Sequence, residues 1–453
     1  MRSQERAVEQ FRRTARRVPF YRRLLADRRI RPERITDIET FRAVVPVISK
    51  RDVFASQPLA SLLVDRAVDD VVTLISSSGL TASSFSLGMI NAVGTEAMVQ
   101  SVDRYLDARF QTTNTKTFVI NTCAMGVSIP TSLPSINLSV RSDKALALLH
   151  ALSPYYEQFV ITSDVYFLKK LIEDGRNAGL QWNRWPVQFV MGGEWFPESY
   201  RDYLAELLKV DLDRVHPRTH VLGSMGAAEL GFNLCFETHE TVRLRRLAAA
   251  DGRVRHALFG QIDTVPMIGH YDPRRWFIEA MPLREMGSSG GALVFTTLDL
   301  QAAMPLVRYQ TGDCGHIFSH SHVSRVLRAL KLDAYVPTLR HPLLAVAGRT
   351  ESVRVAGSAV RMELLRSILY SDRTVAALVT GQFNATLHKG RLHLRVQMQE
   401  AVAAKRKASI HRRLSTLFNR TVPTVVHVVP YFDFHEAVAV DYERKFNHMV
   451  REA

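Results

Sequence analysis

The chain of 453 residues is poor in cysteine, with three in all, Cys123, Cys235 and Cys314, far apart in sequence. Three such thiols build no disulfide framework and suit a reducing compartment, so a cytoplasmic location is expected. A run of about 18 apolar residues, the length a spanning helix needs, is also lacking. The opening Met1-Arg2-Ser3-Gln4-Glu5-Arg6 leads into a charged amphipathic segment, which does not read as a secretory signal. Internal repeats and low-complexity segments are absent too. What is present is 46% hydrophobic and 23% charged residues, the balance of a folded globular protein rather than a disordered one. At this length two or three domains are expected.

The formal net charge of +15 raises nucleic acid as a partner. The densest arginines, Arg12, Arg13, Arg16 and Arg17, share a segment with Val8, Phe11, Ala15 and Val18 at helical spacing. They read as the solvated face of an N-terminal helix, and nucleic-acid binding is the least favoured class. A basic surface also favours polyanionic ligands such as a nucleotide, coenzyme A or an acidic carrier protein.

Residues 1 to about 70 read as helical. Strand-like runs then alternate with helical patterns: Thr117 to Asn121, a helix over Asp143 to Leu152, Phe159 to Thr162, a helix over Asp164 to Gly175, Val187 to Met191, and a helix over Pro197 to Leu208. This alternation predicts an α/β domain with a largely parallel sheet. Beyond Gly348 the pattern changes to β-α-β-β-α-β: Val353 to Val355, a helix over Met362 to Tyr370, Val375 to Thr380, Leu392 to Met398, a helix over Val402 to Phe418, and Val425 to Val429. A large N-terminal α/β domain, residues 1–348, and a small α+β domain, residues 349–453, are expected.

Five short stretches carry candidate chemistry. Ser77-Ser78-Gly79-Leu80-Thr81-Ala82-Ser83-Ser84-Phe85 is either a phosphate-binding loop, with hydroxyls and backbone N–H groups as donors, or a Ser-rich turn. Gly192-Gly193-Glu194 joins a strand to a helix and allows a flat ligand close to the backbone, or is a plain turn. Met225-Gly226-Ala227-Ala228-Glu229 puts a carboxylate in a small-residue turn where Mg²⁺ can sit beside phosphates, although a helix-start carboxylate reads the same. Pro305 to Asp313 is an apolar strand ending in Thr311-Gly312-Asp313, whose carboxylate can accept from a ribose diol. Gly348-Arg349-Thr350-Glu351 lies at the domain boundary.

In this order the stretches resemble the adenylate-forming superfamily of acyl- and aryl-coenzyme A ligases, and within it the phenylacetate-coenzyme A ligase-like branch. The likeness runs from Val18-Pro19-Phe20-Tyr21 to Arg444-Lys445-Phe446-Asn447-His448. It implies an enzyme that uses ATP and Mg²⁺ to turn a carboxylic acid into an acyl-adenylate and passes the acyl group to coenzyme A. A carrier-protein thiol or an amine is the alternative acceptor, and a degenerate scaffold that binds a nucleotide or partner is the non-enzymatic alternative. By the resemblance Ser77, Ser78, Gly79, Thr81 and Ser83 hold the leaving phosphates. Gly192, Gly193, Glu194 and Gly226 line the nucleotide, Glu229 binds Mg²⁺, and Asp313 binds the ribose with Arg349 nearby. Lys445, carried on a mobile lid that turns about Arg349 to Ser352, bridges carboxylate and α-phosphate; a lone lysine near a terminus otherwise reads as solvated surface. Residues 124 to 129, 163 to 168 and 194 to 196 flank the adenylate and suit an aromatic or medium apolar acid, or are simply core. A homodimer is a possible assembly.

The chain departs from the family pattern. Ala82, Ser83 and Ser84 stand where the loop has Gly, Lys and Pro, and Met225 and Ala228 replace Tyr and Thr of the acidic turn. A cation is thereby lost beside the phosphates. Cys235 and His239, with His320-Ser321-His322 after Asp313, form two pairs that suit tetrahedral structural zinc; unpaired histidines and a buried thiol are the alternative.

Overall fold

The computed structural model describes residues 3–450 apart from residues 56, 78–85, 125–126, 284–285, 287–289, 357, 401 and 435–448. The first module is helical: α1 (Ser3–Arg17), α2 (Pro19–Asp27), α3 (Ile38–Val44), a two-residue strand β1 (Ile48–Ser49) and α4 (Lys50–Phe54). Val8, Phe11, Ala15 and Val18 are buried, while Arg16 and Arg17 face solvent, as the helical spacing predicts. Ser49 caps α4 in a reciprocal pair with Asp52, which fixes where Lys50 begins the helix.

A hairpin follows, β2 (Val71–Ser76) with β3 (Leu87–Asn91), then α5 (Ala92–Phe110). The α/β repeat comes next: β4 (Thr117–Asn121), β5 (Ser135–Asn137), α6 (Ser142–Leu152), β6 (Gln158–Asp164), α7 (Val165–Asn177), β7 (Val187–Gly192), α8 (Glu198–Leu208) and β8 (Val221–Ala227). The central strands are apolar on both faces because helices cover both, the condition a parallel sheet requires. Antiparallel strands complete the sheet: β9 (Gly231–Phe236), β10 (Met267–His270), β11 (Trp276–Pro282), β12 (Gly290–Thr297), β13 (Tyr309–Phe318) and β14 (Leu343–Arg349), with α9 (His239–Ala250), α10 (Gly252–Phe259) and α11 (His320–Ala329) between them.

The strand order is β11-β12-β13-β14-β10-β9-β8-β7-β6-β4-β5, with β1 added in parallel to β13. Pairing is parallel from β8 through β7, β6 and β4 to β5, and antiparallel on the other side of β8. The sheet is therefore mixed rather than largely parallel, and β8 is the seam.

The C-terminal part has β15 (Val353–Val355) paired to β16 (Ser358–Val360), then α12 (Met362–Tyr370), α13 (Arg373–Ala376), β17 (Val379–His388), β18 (Arg391–Met398), α14 (Lys407–Asn419), β19 (Thr424–Val429) and β20 (Met449–Val450). A four-stranded sheet in the order β19-β18-β17-β20 forms its centre. Two expectations are corrected. Val375 and Ala376 belong to a short helix capped by Asp372 rather than to a strand. Thr311-Gly312-Asp313 does not end a strand, since β13 starts at Tyr309 and continues through it to Phe318. Gly312 takes φ +85° inside that strand, and a side chain there would collide with the Arg349 guanidinium.

Candidate active site

Glu229 lies in the turn between β8 and β9, and both of its carboxylate oxygens are held. Ser86 Oγ donates to Oε2 at 2.7 Å and the Tyr309 hydroxyl donates to Oε1 at 2.8 Å. Burial, then the Glu229 charge, raises the Tyr309 pKa, so the phenol stays protonated and donates. The hairpin approaches this turn closely because Gly88 has no side chain: a Cβ there would lie 2.1 Å from the Ala228 carbonyl oxygen.

Ser77 and Ser86 form the neck of the Ser-rich loop. Ser77 N–H donates to the Ser86 carbonyl at 2.9 Å, and Ser86 N–H donates to Ser77 Oγ at 2.8 Å. Ser78, Gly79, Thr81 and Ser83 lie outside the described residues, as does Lys445. Lys50 reaches the neck from α4, with Nζ 3.1 Å from Ser77 Oγ. It arrives there because β1 pairs with β13 in the register Ile48 to Tyr309 and Ser49 to Gln310. The buried Arg308, the residue before β13, reinforces this docking by donating to the carbonyls of Arg42 at 2.7 Å and Val45 at 2.5 Å while ion-pairing with Glu279. Nothing in the motif order points to Lys50; the only sequence signal is the capping pattern Ser49-Lys50-Arg51-Asp52.

Asp313 and Arg349 face each other across β13 and β14. Arg349 Nη1 lies 3.1 Å from Asp313 Oδ1 and donates to the Thr311 carbonyl at 3.1 Å. Partial desolvation of the largely exposed Arg349 opposes its charge, but Asp313 and, more weakly, Glu229 outweigh it and raise its pKa. Ser77, Glu229, Asp313 and Arg349 thus belong to one cluster, with Lys50, Ser86 and Tyr309 as members the sequence did not single out.

Gly192 ends β7, and Gly226 lies on the adjacent β8. Glu194 follows them and turns to the C-terminal part of the chain. Its carboxylate pairs with Arg366 of α12 and accepts from the Tyr166 hydroxyl at 3.3 Å, while Arg366 Nη1 donates to the Trp195 carbonyl at 2.8 Å. Arg366 is buried, and its pKa rises because Glu194 outweighs the burial that opposes its charge.

The four residues read as a zinc set do not converge. Cys235 is buried, with its thiol directed at the Leu344 carbonyl at 3.7 Å, and burial raises its pKa. His239 Nε2 bonds the Arg214 carbonyl and its ring stacks edge-on to His220, whose pKa burial pushes down to about 4. His320 Nε2 lies 2.7 Å from the Pro337 carbonyl, and His322 stacks on Phe318. Among the described residues no group of three His, Cys, Asp or Glu is placed to hold a metal. Cys314, set apart from that set, is buried and accepts from Arg361 Nη1 at 3.2 Å.

No protein-family model matches the chain, and no curated protein matches it in sequence. Solved structures do match in fold. A 2-hydroxyisobutyryl-CoA ligase in the postadenylation state, in complex with R3-HIB-AMP, superposes with a TM-score of 0.68 over 99% of this chain and 88% of that chain, at 15% identity. Fatty acyl-adenylate ligases from E. coli and L. pneumophila superpose with a TM-score of 0.53 over 85% and 69% of the two chains, at 13% identity. The chain therefore has the α/β fold of adenylate-forming ligases. These structures do not single out the phenylacetate-coenzyme A ligase-like branch.

Among the described residues no helix is long and apolar enough to cross a membrane.

Proposed function

We propose that the protein uses ATP to convert a carboxylic acid, with an aromatic or medium apolar body, into an acyl-adenylate and then transfers the acyl group to coenzyme A. One observation carries this reading: the Ser77 neck, the Glu229 turn, and the Asp313 and Arg349 strands converge on one cluster in the fold of such ligases.

The donor set fits a nucleotide triphosphate and its metal. Glu229 is a half-buried carboxylate whose outer lone pairs remain for Mg²⁺, and the ion would supply positive charge to the leaving phosphates. Asp313 is a hydrogen-bond acceptor for a ribose diol and is held in place by Arg349. Ser77 and Lys50 offer a hydroxyl and an ammonium at the root of the phosphate loop. Gly192, Gly193 and Gly226 leave backbone open to a flat ring. Lys445 keeps the role the resemblance implies, bridging carboxylate and α-phosphate oxygens. In this reading the carboxylate oxygen attacks the α-phosphorus in line and pyrophosphate departs. The protein contributes position and charge neutralisation.

Residues 349–453 are proposed to move as a lid about Arg349 to Ser352. Against one and the same ligase, the chain matches the postadenylation state at TM-scores of 0.68 and 0.66, the open form at 0.58 and the thioesterification state at 0.56. That ranking supports reading the described arrangement as the postadenylation one, before thioester formation.

The test is pyrophosphate exchange into ATP over a panel of aromatic and aliphatic acids, followed by acyl transfer to coenzyme A or a carrier-protein thiol as a thioester, or to hydroxylamine as a hydroxamate. Acid-dependent exchange is expected, with coenzyme A the best acceptor. ATP binding without exchange on any acid would instead establish a nucleotide-binding scaffold.

A further inference from the structure

Asp313 and Arg349 are register partners on β13 and β14, and a jump in that register between Val346 and Gly348 marks a bulge just before Arg349. A bulge re-aims the chain that follows it. Here the Arg349 N–H turns to α12 and donates to Glu363 Oε1 at 3.2 Å. Gly348 permits the approach, since it takes φ +116° and a Cβ on it would collide with the same carboxyl oxygen. The other end of Arg349 is tied as well. Its carbonyl accepts from the Cys314 thiol at 3.5 Å, and the N–H of Thr350 donates to the Gly312 carbonyl at 2.9 Å.

The side chain of Arg349 is less confined than its backbone. It is 55% exposed, and its bonds run to the Thr311 carbonyl and the Asp313 carboxylate. A side chain with so little packing takes its place from the backbone that carries it, so the Glu363 contact bears on the Asp313 pair.

Glu363 is the second residue of α12 and is 3% exposed. Its Oε2 is sealed from solvent and has no hydrogen-bond partner among the described residues. Burial raises its pKa against the opposing charges of Arg366 and Arg361. Burying a carboxyl with one oxygen unpaired costs stability, and a helix start gains from a carboxylate left in water. The helix alone therefore does not account for this placement.

We propose that Glu363 is a positioning residue for the nucleotide site: by holding the Arg349 N–H it fixes the Arg349 and Asp313 pair where a ribose diol is to bind. This rests on the acid-activation reading and adds to it a residue that reaches the site from beyond the domain boundary.

Pyrophosphate exchange with ATP and with 2′,3′-dideoxy-ATP tests it, because loss of the ribose hydroxyls reports on the Asp313 and Arg349 pair. The wild type is expected to favour ATP in kcat/KM by at least about tenfold, since a site built for a hydrogen bond rejects the analogue that lacks it. Glu363→Ala is expected to bring that ratio close to one, with KM for the acid within about twofold of wild type. Two conservative variants keep the result readable if Glu363→Ala folds poorly. Glu363→Gln retains the accepting oxygen and should keep the ratio, whereas Glu363→Asp retains the charge, pulls it back by one methylene and should lose the ratio. A helix-start charge would give the reverse order of these two. That reverse order, equal use of both nucleotides by the wild type, or a ratio that survives in Glu363→Ala overturns the proposal. If no acid supports exchange, the activation reading fails by itself. Calorimetric titration with ATP and 2′,3′-dideoxy-ATP then decides on Glu363: a preference for ATP that is lost in Glu363→Ala supports it, and no preference overturns it.

Discussion

Lys50 and Ser77 meet across 27 positions of sequence, and the meeting depends on a strand pair whose members are some 260 residues apart. No local pattern encodes that distance, which is why the lysine was not legible while Glu229, Asp313 and Arg349 were. Those three lie in short stretches whose residue types announce a turn, a carboxylate and a boundary. The chemistry of the loop gives Lys50 its weight. Ser83 stands where the resembling family has lysine, so the loop brings no cation of its own at that position. Lys50 Nζ, 3.1 Å from Ser77 Oγ, would in the proposed function supply one from a different segment. Lys50→Ala is therefore expected to lower kcat/KM for ATP in pyrophosphate exchange by about 100- to 1,000-fold, the range for one lost charge-stabilising donor. Its melting temperature should stay within a few degrees of wild type, and Lys50→Arg should recover part of the loss. An unchanged kcat/KM would remove Lys50 from the site. The zinc residues show the opposite failure: Cys235, His239, His320 and His322 form plausible pairs in sequence, but each has found a carbonyl or a ring instead.

At the scale of elements, the buried strands were the most legible. Thr117 to Asn121, Phe159 to Thr162 and Val187 to Met191 are short apolar runs bounded by polar turns, and β4, β6 and β7 occupy them within two residues. Their helices α6, α7 and α8 were equally clear. The short pieces were not: α13 takes Val375 and Ala376 from what reads as a strand, because an Asp372 cap outweighs the β preference of Val375. The contact made by α12 is invisible as well, although the helix itself is legible from Met362 to Tyr370. Arg366 on α12 enters a buried site with Glu194 and Tyr166, so it ties the segment after the boundary to the turn after β7. Removing one partner of such a pair leaves an uncompensated charge. Arg366→Ala is expected to cost about 3 kcal/mol in urea unfolding, and Glu194→Gln in the same chain to recover about 1 kcal/mol or more of it. Strict additivity of the two substitutions would mean that the pair is not coupled.

For the whole molecule, a mixed sheet with its seam at β8 could not be derived from the order of strands alone. Alternating β and α segments announced the parallel half; the antiparallel half comes from strands β9 to β14, whose pairing is set by contacts distant in sequence. The consequence concerns the proposed lid. In the described arrangement Arg373 of α13 pairs with Glu206 of α8 at an exposed position and also donates to the Asp202 carbonyl at 3.1 Å. If residues 349–453 rotate between the two half-reactions, this contact must break for thioester formation. Cysteines introduced as Glu206→Cys and Arg373→Cys can be bridged with a short bis-maleimide. The native thiols compete poorly, since Cys235 and Cys314 are buried and burial raises the Cys123 pKa to about 12. The bridged chain is expected to keep acid-dependent pyrophosphate exchange near the rate of the unbridged double variant. Its thioester formation should fall at least about tenfold, because a conformational step gates the second half-reaction. Equal loss of both activities would show that the bridge distorts the site, and retention of both would show that no rotation of this segment is needed.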